Sequence, residues 1–268
     1  MRILFIGDVS GRPGREMVGR VLPKLKKQKK IDLVIANAEN SAGGIGITIP
    51  MLTELQGYGV DFFTSGDHVW KDREFIEELN DANLPLVRPL NYEAQEQLPG
   101  KGYDIIDMGS KGRVVVTNFL GQTFMNQPVR NPFWRADELM QELEEQGINS
   151  EKDVILIDFH AEATAEKISF GYYLSDKVTA VLGTHTHVPT SDERLVNGMA
   201  YVTDVGMVGP LDASLWADFE NIVHNFKFPF KRRMKMKKNG RIVFNSVLIE
   251  TKKGEAVSIE RIDKIDEV

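Results

Sequence analysis

Short apolar runs rich in β-branched residues alternate with helical patterns along most of the chain. A run of about four to eight such residues is typical of a buried strand, and apolar residues at i, i+3 and i+4 are typical of a helix. We predict strands at residues 2–6, 32–36, 60–64, 113–117, 153–158, 177–182 and 199–203. We predict helices at residues 14–28, 50–56, 72–80 and 135–146. This alternation predicts an α/β fold with strands at the centre and helices outside.

The C-terminal part follows a different pattern. Residues 241–250 and 255–262 are predicted to form a hairpin that is joined through Lys252, Lys253 and Gly254. Residues 226–237 also alternate apolar and basic side chains, which is typical of a strand with one solvated face. We therefore expect antiparallel strands that form a second sheet. No repeat, low-complexity tract or linker interrupts the sequence, so residues 1–268 are predicted to form a single domain.

The composition of the chain excludes several classes of site and partner. The chain has 268 residues, a formal net charge of -6 and no cysteine. Disulfides and thiolate metal sites are thus excluded, so a metal must use oxygen and imidazole ligands. The acidic balance argues against strong general binding to nucleic acids or anionic membranes. We expect neither a membrane span nor a secretory signal, and the lack of thiols favours a cytoplasmic protein.

Polar side chains follow five of the predicted strands, at the point where each strand ends. These residues are Asp8, Asn37, Glu39, Asn40, Asp67, His68, His160, Glu162, His185 and His187, and the glycines beside them are Gly7, Gly66 and Gly183. The glycines are expected to let the backbone turn tightly. Because open α/β sheets bind ligands beyond the carboxyl ends of their strands, we expect the polar side chains to converge on one site.

His185 and His187 are two of only five histidines in the chain, and they follow the strand predicted at 177–182. In an extended segment, residues i and i+2 face the same way. Both imidazoles would then face one site and reach two different metal ions. Paired metals in phosphoester-cleaving enzymes lie about 3.5–4 Å apart and clamp the attacking and leaving oxygens. The spacing of the two histidines therefore favours a site for two metals.

Each polar residue has a simpler interpretation when it is taken alone. Asp8 is typical of a turn or a helix cap, and His160 is typical of a core histidine that bonds to the backbone. The joint occurrence of such residues at five strand ends favours one shared site instead. Residues 227–241 contain eight lysines and arginines, which would suit a nucleic acid or a nucleotide phosphate. A solvated strand face is the preferred interpretation of that segment.

Together these motifs resemble the calcineurin-like metallophosphoesterases, and closely the bacterial YmdB-type subgroup. The resemblance extends over nearly the whole chain. Its segments are GDVSGRPGR at 7–15, NAEN at 37–40, GDH at 66–68, LVRP at 86–89, HAEAT at 160–164, EK at 166–167, GTHTHV at 183–188 and TDVGM at 203–207. One position departs from the subgroup pattern, which has asparagine where this chain has Asp67.

The resemblance implies a two-sheet α/β/β/α sandwich with a di-metal centre. One metal would be held by Asp8, Glu39, Asn40 and His187, and the other by Glu39, Asp67, His160 and His185. His68 would stand beside the leaving oxygen as general acid. The two divalent ions would be Fe, Mn or Zn, since sites of imidazole and carboxylate accept all three. The implied reaction is hydrolysis of a cyclic nucleotide, a 2′,3′-cyclic one in particular, by a hydroxide that bridges the metals.

Two other functions fit the same residues. One is a phosphomonoesterase or phosphoprotein phosphatase of the same superfamily. The other is a metal-binding regulatory protein that acts through partners and has no catalytic activity. The carboxylate of Asp67 keeps a ligating oxygen at its position, so the centre is expected to work. The expected partner is a small-molecule cyclic nucleotide, and assembly into a homo-oligomer is left open.

Overall fold

The computed structural model describes residues 1–93 and 97–267. In this part of the chain the strands are β1 Arg2–Ile6, β2 Asp8–Val9, β3 Leu33–Asn37, β4 Phe62–Thr64, β5 Tyr103–Asp107, β6 Arg113–Leu120, β7 Val154–His160, β8 Ala180–Thr184, β9 Arg194–Val196, β10 Met199–Val202, β11 Met207–Pro210, β12 Arg241–Phe244, β13 Ser246–Lys252, β14 Glu255–Arg261 and β15 Lys264–Glu267. The helices are α1 Gly11–Lys29, α2 Ile49–Gly57, α3 Arg73–Glu78, α4 Pro132–Glu145, α5 Thr164–Tyr173 and α6 Phe219–Lys227, with a short 3-10 turn at Gly109–Lys111.

Two sheets form the centre of the fold. The first sheet has the strand order β14-β13-β1-β3-β4, and the second has the order β5-β6-β7-β8-β10-β9. In the first sheet β1, β3 and β4 are parallel, and in the second sheet β6, β7, β8 and β10 are parallel. The antiparallel strands lie at the edges, apart from β13, which pairs with β1. Each sheet therefore gathers the carboxyl ends of its parallel strands at one edge.

The two sheets share one apolar core. Ile3 and Phe5 of β1 pack in the same buried cluster as Leu156 and Leu182 of the second sheet. Leu4 belongs to a different cluster, which includes the buried residues of α1, α2 and α3. The other side of the second sheet packs against α4 and α5. Since both faces of each sheet are buried, the strands are continuous apolar runs in the sequence. The predicted α/β/β/α sandwich is confirmed.

A third, smaller sheet was not predicted from the sequence. Its strand order is β15-β12-β11-β2. β2 consists only of Asp8 and Val9, and it pairs in parallel with β11, so that Asp8 lies opposite Met207. Strands this short carry no period that could be recognised in the sequence. The small sheet fixes the backbone of Asp8 directly after the end of β1.

The C-terminal predictions were partly wrong. The hairpin is confirmed, since β13 and β14 are antiparallel, but it extends the first sheet and does not form a separate sheet. The predicted strand 241–250 is broken at Asn245, between β12 and β13, which belong to different sheets. The predicted strand 226–237 is absent from this described segment, where α6 ends at Lys227 and irregular backbone follows. Its alternate aromatic residues Phe226, Phe228 and Phe230 are all exposed, so no sheet buries the apolar face.

Within residues 1–93 and 97–267, no helix combines the length and the apolar character that crossing a membrane requires.

Candidate metal centre

The seven predicted metal ligands meet where the parallel strands of both sheets end. Two sets of ligand atoms lie close together, each within 4.8 Å. We call the first set the Asp67 group, which consists of Glu39, Asp67, His160 and His185, and the second the Asp8 group, which consists of Asp8, Glu39 and His187. Asn40 lies beside the second set, with its amide nitrogen 3.0 Å from His187 Nε2. Glu39 is common to both groups, so its carboxylate lies between two positions that could hold a cation.

The atoms of the Asp67 group have the spacing of ligands around one ion. His160 Nε2 lies 3.2 Å from Glu39 Oε2, 3.2 Å from Asp67 Oδ1 and 3.0 Å from His185 Nδ1. Metal bonds of nitrogen and carboxylate oxygen to zinc are about 2.0–2.2 Å long. Two such ligands at tetrahedral or octahedral angles are therefore about 2.8–3.6 Å apart. The four side chains thus need little movement to share a cation.

The Asp8 group contains a buried oxygen that has no hydrogen-bond partner. Asp8 Oδ2 accepts the His185 backbone N–H at 3.3 Å, but no donor among the described residues reaches Asp8 Oδ1. Asp8 and Glu39 are both buried. Buried carboxylates are stable only when a charge or a donor compensates them. A divalent cation would compensate Asp8, so the residues of this group fit a metal.

Burial and neighbouring charges give the imidazoles of the centre opposite pKa shifts. Burial lowers the pKa of His185 and of His187 to about 4, so both are neutral at pH 7, as metal ligation requires. Burial also acts on His160, but Glu39 and Asp67 outweigh it and hold its pKa well above the ordinary value. Burial raises the pKa of the Asp8 carboxyl to about 7. The nearby side chains therefore do not fully compensate the negative charge of the carboxylates in the centre.

A buried network fixes the ring of His160. Its Nδ1 lies 2.8 Å from the Thr184 hydroxyl, which donates to Asp158 Oδ1 at 2.6 Å. Burial raises the pKa of Asp158 to about 7, while donation from Thr64 and Asn37 to the same carboxylate favours its ionised form. A threonine hydroxyl has one proton, which goes to ionised Asp158, so it accepts from His160 Nδ1–H. Because Nδ1–H is engaged by Thr184, Nε2, which faces Glu39, is the nitrogen that a metal could bind in place of a proton.

Glu162 and Gln127 contact the ligands from outside. Glu162 was expected at the site as a strand-end residue but not as a ligand contact, and Gln127 was not expected there. Glu162 Oε2 lies 3.2 Å from His185 Nε2, on the opposite side of the ring from the Asp67 group. Gln127 Nε2 donates to Asp67 Oδ2 at 2.8 Å. Outer contacts of this type orient metal ligands. Glu162 could have been found from the sequence, since it follows His160 by two residues, whereas Gln127 lies in a loop without a motif.

The backbone of the two neighbouring histidines is not extended, so that prediction was wrong. β8 ends at Thr184, and His185 and His187 have φ angles of 96° and 65°, in the left-handed region. Such angles cost non-glycine residues on the order of 1–3 kcal/mol each. The two side chains still reach different groups, as expected, but through two left-handed residues rather than through strand geometry.

A buried ion pair holds this strained segment. Lys167 Nζ donates to Asp204 Oδ2 at 2.7 Å and to the Thr184 carbonyl at 2.6 Å, although Lys167 is almost fully buried. The same Asp204 oxygen accepts the backbone N–H and the hydroxyl of Thr186. Thr186 lies between the two histidines, so Asp204 fixes the left-handed backbone from a position remote in sequence. Neither Lys167 nor Asp204 was predicted to have this role.

The three glycines provide space where segments of the site approach closely. None of Gly7, Gly66 and Gly183 has a positive φ, and the backbone turns tightly after Gly66, whose carbonyl accepts the Val69 N–H at 3.3 Å. A Cβ atom on Gly66 would lie 1.9 Å from Glu39 Oε2. Cβ atoms on Gly7 and Gly183 would each lie 1.8 Å from a backbone carbonyl. Gly7 and Gly183 therefore allow backbone to pack against backbone, and Gly66 leaves room for the Glu39 and His160 side chains.

His68 lies at the rim of the centre and belongs to neither ligand group. Its ring is one third exposed, and its Nδ1 is 3.1 Å from both Glu39 Oε1 and Asn40 Oδ1. The nearest acidic oxygen to Nε2 is Asp67 Oδ2 at 3.9 Å. Burial opposes protonation of His68, but Glu39 outweighs burial and raises its pKa above the ordinary value. The contact with Glu39 therefore favours the protonated form of His68.

Comparisons with known proteins agree with this geometry. The model of the family described as YmdB-like protein matches residues 4–262. The chain is 43% identical over 267 residues to the 2′,3′-cyclic-nucleotide 2′-phosphodiesterase of Bacillus subtilis, which covers 98% of this chain and 96% of that protein. A crystal structure of a hypothetical protein from Thermus thermophilus superposes with a TM-score of 0.89 and 35% identity, covering 99% of this chain and all of the other.

A crystal structure described as a novel phosphatase from Mycoplasma pneumoniae also has a TM-score of 0.89, with 31% identity. It covers 100% of this chain, and 94% of that protein is covered in turn. The similarity thus includes the sandwich and the edge where the two ligand groups lie. The chain belongs to the YmdB-like family of metallophosphoesterase fold.

Proposed function

We propose that this protein is a di-metal phosphodiesterase that hydrolyses cyclic nucleotides, and 2′,3′-cyclic ones in particular. The observation that carries the proposal is the pair of ligand groups that share Glu39. A shared carboxylate between two cation positions is the arrangement that in-line displacement at phosphorus uses. The name of the Bacillus subtilis relative supports the substrate class.

The proposed ligands are those implied by the sequence. One ion would be held by Asp8, Glu39, Asn40 and His187, and the other by Glu39, Asp67, His160 and His185. The donors are carboxylates, an amide and imidazoles without any thiolate, which suits Fe, Mn or Zn. Divalent ions bound there would supply Lewis acidity towards the phosphate and make water a nucleophile near neutral pH. We also propose that residues 1–268 act as one domain, because β1 pairs with β13.

The chain itself supplies the proton for the leaving group. Contacts of Nδ1 with Glu39 and Asn40 hold the His68 ring at the rim, and the contact with Glu39 raises the His68 pKa, which favours the protonated ring that a general acid requires. When water adds to phosphorus, the bond from phosphorus to O2′ breaks and O2′ takes the proton from His68 Nε2. The product carries a 2′-hydroxyl and a 3′-phosphate.

A second candidate function is phosphomonoester hydrolysis, which the description of the Mycoplasma pneumoniae structure as a phosphatase supports. The two functions differ in the substrate that the metal-loaded protein prefers. One assay compares 2′,3′-cyclic AMP, 3′,5′-cyclic AMP and a phosphoserine peptide after metal removal and after reloading with Fe, Mn or Zn. We expect reloading with two equivalents to restore hydrolysis of the 2′,3′-cyclic compound most strongly. Preference for the phosphopeptide would contradict the proposal, and full metal content without any turnover would identify a non-catalytic protein.

A further inference from the structure

A groove of about 1140 Å³ lies next to the metal centre, although none of the predicted metal ligands lines it. One wall consists of Ala42, Gly43 and Ile45, in the loop that begins two residues after Asn40. The other wall is the segment 216–239, which includes the start of α6 and the irregular chain after it. Sites for single small molecules have volumes of about 300–1,000 Å³, so this groove has room for more than one nucleotide.

The groove is basic in a protein whose net charge is negative. Its lining includes four cations, Arg233, Lys235, Lys237 and Lys238, and two acidic residues. Lys237 is paired with Asp218 at 3.3 Å. Arg233, Lys235 and Lys238 are exposed, and none of them forms a close ion pair with a described residue, although the charge of Lys235 acts on Asp218 from a longer distance. Three exposed cations along one groove are an electrostatic footprint for a chain of phosphates.

Aromatic rings accompany these charges. Trp216 and Phe219 line the groove, and beyond it every residue from 226 to 235 is exposed. Phe226 is 88% exposed, and the rings of Phe228 and Phe230 stack on each other with centroids 5.3 Å apart. Leaving such rings in water is unfavourable unless a ligand covers them. Flat rings interleaved with cations are the surface on which single-stranded nucleic acids stack.

One loop joins the groove to the metal centre. The Gly44 N–H donates to the Asn40 carbonyl at 3.1 Å, and Asn40 contacts both Glu39 and His187. On its other side, a Cβ atom on Gly44 would lie 2.9 Å from the Trp216 ring. The indole therefore packs on the loop that carries Asn40. A ligand that stacks against Trp216 would therefore lie on the loop that leads to Asn40, which contacts His187 of the Asp8 group.

We propose that this groove binds the end of a single-stranded oligoribonucleotide, so that its terminal 2′,3′-cyclic phosphate lies at the metal centre. The inference rests on the proposed function and extends it from mononucleotides to RNA ends. Hydrolysis follows the same balance: water adds to phosphorus, the bond to O2′ breaks, O2′ takes a proton, and a 3′-phosphate remains. The preceding phosphates pair with Arg233, Lys235 and Lys238, and a base stacks on Trp216.

A second copy of the chain is the other occupant to consider. A two-fold interface places the same surface of both copies together. The unpaired cations of one groove would then face those of the other, which disfavours the contact. A polyanion satisfies the cations and covers the rings at the same time, so RNA fits the groove better.

The test compares substrates of different length. The metal-loaded protein would be assayed with a 2′,3′-cyclic mononucleotide and with oligoribonucleotides of about two, four and eight residues that end in the same group. We expect kcat/KM to rise about tenfold or more from the mononucleotide to the octamer. With three phosphate contacts, binding of the octamer should weaken about 20-fold between 50 and 200 mM salt.

Variants then assign the length preference to the groove. The triple variant R233Q/K235Q/K238Q should lose the preference and treat all lengths alike. The matched control K24Q/K27Q/K152Q changes three exposed lysines outside the groove and should keep it. Phe226→Ser, at the most exposed ring, is a second variant that should reduce the preference without risk to the fold.

Several results would overturn the inference. Equal kcat/KM for all lengths would do so while leaving the proposed function intact. A length preference that the triple variant retains would also overturn it. Binding of a fluorescent octamer that ends in a 3′-phosphate, followed by anisotropy, tests the groove independently of turnover. If sedimentation shows a dimer that the triple variant loses, and the octamer does not bind, the occupant is a second copy.

Discussion

The two ligand groups of the metal centre differ in how their side chains are supported. In the Asp67 group, His160 donates to Thr184, which donates in turn to Asp158, and His185 contacts Glu162. Both rings are therefore held from the side that faces away from the proposed cation. Outer contacts of this kind change metal affinity about 10–100-fold.

The Asp8 group lacks this support. His187 Nδ1 is buried, and no hydrogen-bond partner for it is found in residues 1–93 and 97–267. Asp8 Oδ1 also has no such partner, and it lies 3.9 Å from His187 Nε2, farther apart than the contacts of the other group. We infer that the Asp67 group is organised before a metal binds, whereas the Asp8 group is organised by the metal. A chelator should remove the ion at the Asp8 group first.

The largest effect is expected for the residue that the two groups share. Glu39→Gln removes the negative charge that Glu39 contributes to both groups. Both ions should therefore bind weakly, and hydrolysis should fall more than about 10³-fold. Circular dichroism should show an intact fold, because the side chain contacts the site and not the apolar core. Activity and metal content near those of the wild type would contradict the proposed bridging role of Glu39. The division of the centre into two groups that share Glu39 would then be wrong as well.

A large loss with full metal content is expected for His68→Ala. General acid catalysis contributes about 10²–10⁴-fold, and His68 belongs to neither ligand group. The loss should be smaller for a substrate with an acidic leaving group, such as a nitrophenyl diester. His224→Ala changes the one histidine outside the centre and should be active. Metal loss in His68→Ala, or the same loss with both substrates, would contradict the assignment.

The difference in support is tested most directly by Thr184→Val, which keeps the shape of the side chain but cannot accept from His160. We expect affinity at the Asp67 group to fall about 10–100-fold, with little change at the Asp8 group. In a chelator titration of this variant, the ion of the Asp67 group should therefore be released at a chelator concentration closer to that which releases the ion of the Asp8 group. Thr53→Val, on the exposed side of α2, is the control. If Thr184→Val releases both ions as the wild type does, the two groups do not differ in support.

The smallest effect is expected far from both groups, at Asp153. Arg113 donates to Asp153 and holds the pKa of that carboxyl below its ordinary value. A lowered pKa stabilises the fold above the unfolded value of about 3.9, and this stabilisation is lost as pH falls through the folded value. Asp153→Asn should thus cost about 1 kcal/mol at pH 7, and the difference from the wild type should shrink by pH 3.

Urea unfolding at pH 7, 5 and 3 measures this difference, and the variant should hydrolyse substrate normally. A constant difference at all three pH values would show that the ion pair does not titrate as expected. Reduced turnover would show that changes far from the metal centre reach it, which would weaken any comparison based on local contacts.

Short-range patterns predicted the α/β alternation and the polar strand ends, whereas the two-sheet sandwich and the ligand set were implied by the resemblance to a known family. Continuous apolar runs indicated strands buried on both faces, and all seven predicted strands are found within three residues of their expected bounds. The polar residues after them come together because parallel strands end at one edge. The strands and the polar residues that follow them therefore carry the family resemblance and are also explained by the hydrophobic pattern.

The remaining features depend on contacts that are distant in sequence. Asp204 and Lys167 fix the left-handed backbone of the segment 185–187. A local sequence pattern does not predict such a contact. The segment 226–237 alternates like a strand, but alternation cannot tell whether a neighbouring strand exists. Its exposed rings became meaningful only when the structure placed them beside the groove.

The first strand of the chain pairs with one of the last, and this has a consequence for synthesis. β1 lies between β3 and β13, and Arg2 pairs with Glu250. A ribosome adds about 5–20 residues per second, so about 10 to 50 s pass between the emergence of these two strands. Throughout that time an apolar strand has one open edge, which is a template for pairing with another nascent chain. An mRNA that is truncated before codon 246 would encode every proposed metal ligand. We nevertheless expect its product to aggregate rather than to hydrolyse substrate.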